Sequence, residues 1–217
     1  MFGSGMIQAI LWDNDGLLVD SESVFFEHTR AVFADFGYEL GREYWGIEYL
    51  GKAKHTRQVA EEFGMAPDLI DRFISLRDRE FLKALHHSVP LRPKVRETLD
   101  MLSGRLKQGV VTGSPREKVE LMHRSNDLDG YFDLIVTCDD VTESKPHPEP
   151  YLTALHVLGL KPENVLAVED SERGLASAYA AGIPCVVVPN YLTRVQVFEH
   201  AHAIEEDVWG VLKHLEW

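Results

Sequence analysis

Four short polar clusters, each placed just beyond an apolar run, carry the side chains of this 217-residue chain that could do chemistry together. Asp13-Asn14-Asp15-Gly16 follows IQAILW, Thr112-Gly113-Ser114 follows QGVV, Lys145-Pro146 follows the segment after Cys138, and Glu169-Asp170 follows VLAV. Brought to one crevice, they amount to four carboxylates, one ammonium and one hydroxyl. Carboxylates so close raise one another's pKa values and cannot all stay ionised near neutrality. Lys145 offsets one charge. A divalent cation is the natural remainder, and hard oxygen donors with room for water and phosphate suit Mg²⁺. With a phosphoryl group neutralised by that ion and by Lys145, the Asp13 carboxylate can attack phosphorus in line and form an aspartyl-phosphate. Asp15, two residues on, can protonate the leaving oxygen and then take a proton from the hydrolytic water. Gly16 permits the tight turn that aims both side chains at one site.

For the clusters to meet, each must stand at the carboxyl end of a strand in one sheet, where open parallel sheets bind ligands. The chain patterns accordingly. A strand over Ile7 to Trp12 is followed by helical stretches Glu22 to Phe36, Glu43 to Leu50, Thr56 to Phe63 and Leu69 to Leu85, punctuated by Gly37, Gly51, Gly64 and Pro67. Beyond Pro90, helix and strand alternate: helix Lys94 to Leu102, strand Gln108 to Thr112, helix Arg116 to Ser125, strand Leu134 to Thr137. The unit repeats with helix Pro150 to Leu158, strand Val165 to Val168, helix Glu172 to Ala181 and strand Cys185 to Val188. An Ala203-Ile204 edge and a helix near Asp207 to Leu215 close the chain. Such alternation predicts an α/β fold, a Rossmann-like doubly wound parallel sheet joined by right-handed crossovers. Residues 1–16 and 90–217 form the predicted core, and 17–89 an inserted all-helical cap domain.

The segments WDNDGLLVDSE, VVTGSP, SKPHPEPY and VLAVEDSERGLASAYAAG resemble the four ordered motifs of the haloacid dehalogenase-like superfamily. The insertion after the first motif is similar to the cap of the subgroup that includes β-phosphoglucomutase and sugar-phosphate phosphatases. The resemblance implies that Asp13 is the nucleophile and a metal ligand, and that Asp15 is the acid/base with its backbone carbonyl on the metal. Thr112, Gly113 and Lys145 would hold the phosphoryl group. Asp170 would complete the Mg²⁺ site, with Glu169 either a direct ligand or a partner behind it. In similar caps an arginine and a lysine hold a far phosphate, and Lys54 and Arg77 fall near those places. Dehalogenases lack the second aspartate, so Asp15 points to phosphoryl transfer. β-Phosphoglucomutases carry a cap histidine where this chain has Phe25, which favours hydrolysis over the mutase alternative. A receiver-type phospho-acceptor would not carry so long an insertion after its first strand, and no expected site residue is missing, as it would be in a non-catalytic binding protein.

Some of these residues have simpler readings. Asp13 and Asp15 singly are turn formers, Ser114 before Pro115 reads as a helix N-cap, and Asp170 could cap the helix from Glu172. Lys52, Lys54, Arg77 and Arg79 are also what solvated helix faces carry. His147 either lines the entrance or lies on the surface, while His200 and His202 lie far from the cluster set. A net charge of −13 without a Lys/Arg cluster argues against a nucleic-acid partner. The apolar run before Asp13 is too short for a signal or membrane segment, and Cys138 and Cys185 read as reduced core residues. The expectation is a cytoplasmic enzyme, a monomer or small homo-oligomer, acting on a small phosphorylated metabolite.

Overall fold

The computed structural model describes residues 6–87 and 89–215. Strand β1 (Ala9–Trp12) lies between β2 (Lys107–Val111) and β4 (Val165–Glu169). Beyond these lie β3 (Leu134–Val136) on one side and β5 (Cys185–Val187) and β6 (Ala203–Ile204) on the other. The order β3-β2-β1-β4-β5-β6 is parallel throughout. AILW and VLAVE are buried at every position, as strands covered on both faces must be.

Alternate residues of the same strands feed two separate cores. Ile10, Trp12, Val110, Leu166 and Val168 pack against α5 (Val95–Leu102), α6 (Arg116–Ser125) and the terminal turn around Val208 and Val211. Ala9, Leu11, Val111, Ala167 and Val187 pack against α7 (Glu149–Leu158) and α8 (Glu172–Ala180). Strand β2 starts and ends one residue earlier than its pattern predicts. The expected tail helix is a 3₁₀ helix, Val208–His214, capped by the Asp207 side chain on the Gly210 amide.

The helical block holds α1 (Ser21–Asp35), a short α2 (Arg42–Tyr44), α3 (Thr56–Glu62) and α4 (Pro67–His87). Over most of the predicted Glu43 to Leu50 helix the backbone instead forms a π-helix, Trp45–Gly51. There Gly46 gives its carbonyl to Gln196 Nε2 of the core at 2.7 Å, so that carbonyl serves a tertiary contact. Phe26, Phe33, Trp45, Val59, Ile70 and Phe73 make the block's own core, joined by Leu192 from the sheet side. Leu17, Leu18, Val19, Leu85 and Val89 pack with the sheet instead. Packing therefore changes hands between Val19 and Phe26 on the way out and between Phe73 and Leu85 on the way back. Among the described residues no helix is long and apolar enough to cross a membrane.

Candidate active site

Register carries the four clusters to one edge. Trp12 is level with Val110 and Val168, so Asp13 emerges beside Val111 and Glu169, its amide donating to the Val168 carbonyl at 2.9 Å. The chain then folds back, with the Asn14 carbonyl accepting from the amides of Leu18 and Val19, both at 3.0 Å. At Gly16 φ is +82°, and a β-carbon there would lie 2.5 Å from Asp170 Oδ2 and 2.6 Å from Asn190 Nδ2. Glycine meets both demands. Asp13 and Asp15 thus face a cleft of about 230 Å³ shared with Thr112, Gly113, Ser114, Lys145 and Asp170. A larger hollow of about 470 Å³, at Gln8, Arg105, Lys107 and Tyr131, lies at the opposite, amino end of the strands and contains none of this set.

The floor of the cleft is a buried charge cluster. Lys145 Nζ donates to Asp13 Oδ1 at 2.7 Å, Glu169 Oε1 at 2.6 Å and the Val111 carbonyl at 2.7 Å, which uses all three of its protons. Tyr151 Oη donates to the same Glu169 oxygen at 2.6 Å. The other, Oε2, is buried without a hydrogen-bond partner and lies 1.9 Å from where a β-carbon of Gly174 would stand, so Gly174 makes room for it. Burial pushes the Asp13 carboxyl up to about 7 against the pull of Lys145, with Glu169 and Asp15 adding to the rise. Burial, then Asp13 and Glu169, raise Asp170 well above the carboxylate range. For Lys145, burial opposes the charged form, but Asp13 and Glu169 together hold the ammonium above its ordinary value.

Asp13, Glu169 and Asp170 can each bring one oxygen within 4.8 Å of the others, all three being buried. Three carboxylates against one ammonium, with an orphaned Glu169 oxygen among them, fit a hard divalent cation. Asp15 does not extend this carboxylate group. Its Oδ1 accepts from Ser21 Oγ at 2.7 Å and its Oδ2 from Thr112 Oγ1 at 2.9 Å and Asn14 Nδ2 at 3.3 Å. The Thr112 hydroxyl therefore orients Asp15 and in turn accepts from the Ser114 amide at 3.0 Å. Ser114 is not the cap of α6, where Pro115 occupies that position, and Ser171, not Asp170, caps α8 by accepting from the Gly174 amide at 3.2 Å. Asp170 is occupied elsewhere, accepting from Asn190 Nδ2 at 2.6 Å.

Several residues of this constellation escaped the sequence reading. Asn190 stands just past β5, where the strand-end rule could have found it. Tyr151 lies inside the third motif but shows its role only through the contact with Glu169. Asn14 Oδ1 meets His123 Nε2 at 2.8 Å, and burial lowers the His123 pKa. Glu22 and Arg173 also line the cleft, and burial, then Asp15, push the Glu22 carboxyl up to about 8.

The cap residues fare unequally. Lys54 reaches the cleft wall, but its ammonium is held by Glu48 at 2.7 Å and Glu62 at 2.6 Å. Arg77 is not among the lining residues. It is buried inside the cap, donates to Thr56 Oγ1 at 2.7 Å and lies over the Phe25 ring with its CZ carbon 4.7 Å from the centroid. The place near a far phosphate that the resemblance implies for it is therefore not one where its guanidinium faces the cleft in this structure; the group packs on an aromatic ring instead. Phe25 packs among Trp45, Tyr49 and Phe81.

A parallel sheet with a buried carboxylate cluster and a lysine at its carboxyl edge, under a helical insertion, defines a hydrolase-type α/β site. Residues 10–188 match the sequence family described as haloacid dehalogenase-like hydrolase, and the chain belongs to that family. It is similar to a phosphorylated carbohydrates phosphatase of Thermotoga maritima, 33% identical over 220 residues that cover 96% of this chain and 100% of the relative. A phosphoglycolate phosphatase of Photorhabdus laumondii is 31% identical over 195 residues, covering 83% of this chain and 79% of the relative. The crystal structure of CbbY from Rhodobacter sphaeroides in complex with phosphate superposes with a TM-score of 0.71 at 28% identity, over 93% of this chain and 95% of that one.

Proposed function

We propose that this chain is a Mg²⁺-dependent phosphatase of a small phosphorylated metabolite, a sugar phosphate or a near relative, working in the cytoplasm as a monomer or small homo-oligomer. The observation that carries this reading is the buried clamp of Lys145 on Asp13 and Glu169, with Asp15 turned toward the same cleft by Ser21 and Thr112. The relatives named as phosphatases of phosphorylated carbohydrates and of phosphoglycolate support it.

In this mechanism Lys145 holds Asp13 Oδ1, which leaves Oδ2 to attack phosphorus. As the Oδ2–phosphorus bond forms, the bond from phosphorus to the leaving oxygen breaks, and Asp15 delivers its proton to that oxygen. Water then attacks the aspartyl-phosphate, Asp15 takes its proton, and phosphate leaves with the Asp13 carboxylate restored. Asp13, Asp170, Glu169 and the Asp15 carbonyl would hold Mg²⁺, which when bound would supply the charge neutralisation that phosphoryl oxygens need. Thr112 acts by fixing the Asp15 rotamer, and Gly113 leaves space at the turn for the phosphoryl group. From the cap, Lys54 forms part of the wall, and Arg77 works from behind by holding Thr56. Phe25, packed among rings, offers no proton acceptor, which favours hydrolysis over phosphosugar isomerisation.

The test is inorganic phosphate release from a panel of sugar, polyol and acid monophosphates, with Mg²⁺ and with chelator, for the wild type and Asp13→Asn. Release should need both the metal and Asp13. Turnover that persists in Asp13→Asn would sink the mechanism.

A further inference from the structure

Lys145, Lys54 and Arg173 are the lysine and arginine side chains that line the cleft. The first two are already engaged. Lys145 has given its three protons to Asp13, Glu169 and the Val111 carbonyl, and Lys54 is shared by Glu48 and Glu62. Arg173, the second residue of α8, differs: among the described residues its guanidinium enters no ion pair, although the Glu22 carboxyl stands within electrostatic reach. Its Nη2 lies 3.7 Å from where a β-carbon of Gly113 would be, with Ser144 Oγ at 3.6 Å from the same point. A β-carbon at Gly113 would thus stand in van der Waals contact with the guanidinium, which places Arg173 beside the turn Thr112-Gly113-Ser114 on the wall of the same cleft. A planar fork of donors without a carboxylate, facing an open cleft, is suited to an oxyanion.

We propose that Arg173 is a substrate-binding residue whose guanidinium takes an anionic oxygen of the substrate. The proposal rests on the phosphatase reading and adds the cation that the saturated Lys145 cannot supply without giving up a bond. The oxyanion belongs either to the phosphoryl group itself or to a second charge on the leaving group, such as a carboxylate.

Two measurements on wild type, Arg173→Gln and Arg173→Lys separate these sources. The first is kcat/KM for glycerol 3-phosphate and 3-phosphoglycerate, which differ at the far end by a neutral or an anionic group. The second is calorimetric binding of inorganic phosphate in the presence of Mg²⁺. Arg173→Gln should lower kcat/KM about 10- to 100-fold, the range for losing a charged hydrogen bond, with Arg173→Lys recovering part of it. An equal loss on both substrates, with weakened phosphate binding, supports contact with the phosphoryl group. A loss confined to 3-phosphoglycerate, with phosphate binding intact, supports contact with the leaving group. Values for Arg173→Gln within about twofold of wild type in every assay would overturn the proposal. Should the wild type bind phosphate but hydrolyse neither substrate, the phosphatase reading falls and the binding measurement still decides Arg173. A wild type that does neither overturns both.

Discussion

Two lysines in this molecule do the same thing in different surroundings. Lys145 joins Asp13 to Glu169 at 2.7 and 2.6 Å on the cleft floor, its side chain 4% exposed, and Lys54 joins Glu48 to Glu62 at 2.7 and 2.6 Å on the cap, 25% exposed. Bond lengths do not distinguish them; water does. At the cap bridge, solvent reaches all three side chains and would rehydrate any partner left alone, so the bridge contributes little. On the floor nothing replaces a lost partner, so each charge there depends on the others, and burial lifts the Asp13 and Asp170 carboxyls above their ordinary range. The proposed chemistry falls where the charges cannot relax.

Asp13→Asn removes one arm of the buried bridge and, in the proposed mechanism, the nucleophile, and turnover should fall by at least about 1,000-fold while near-native folding persists. Stopped assays of phosphate release would show it. Lys145→Met strands two buried carboxylates and should cost about 3–5 kcal/mol of stability, the range for breaking a buried pair. Urea denaturation should show that this penalty shrinks as pH is lowered and the carboxyls take protons; a loss independent of pH would contradict the electrostatic account.

Glu22 gives a smaller effect with a defined sign. Its carboxyl is raised from 4.5 to about 8, so between those values the native state keeps a proton that the unfolded chain has released. Stability of the metal-free protein should therefore fall as pH rises through this window, with Asp13, raised to about 7, contributing in the same direction. Glu22→Gln is neutral at every pH and should flatten the decline in melting midpoint between about pH 5 and 8. The smallest effect is expected from Lys54→Ala, whose melting midpoint should stay near wild type and respond little to pH between about 6 and 8, the range into which burial lifts Asp13 and Glu22. A drop comparable to that of Lys145→Met would mean that the cap bridge is not screened as its exposure suggests.

Much of this was legible in the chain. Near-continuous apolar strands and alternating helices fixed the parallel sheet, and the rule that ligands sit past strand ends selected Asp13, Asp15, Thr112, Gly113, Lys145, Glu169 and Asp170 as a set that the structure brings to one edge. Less visible was what each side chain holds. Thr112 turns its hydroxyl to Asp15, Lys145 is saturated, and Arg77 lies over the Phe25 ring, because those outcomes depend on neighbours distant in sequence. At Trp45–Gly51 periodicity predicts an ordinary helix, since it carries no record of the carbonyl that Gly46 lends to Gln196.

The sequence by itself determined the fold class and the clustering of carboxylates with one lysine, because hydrophobic period and turn chemistry are local and each strand end announces its residues. Tertiary structure alone decided which of those groups lose water, which cation keeps free donors, and which cap residues face the cleft. Burial and pairing are properties of the space between segments, and in this chain Lys145 meets Asp13 across 132 positions of sequence.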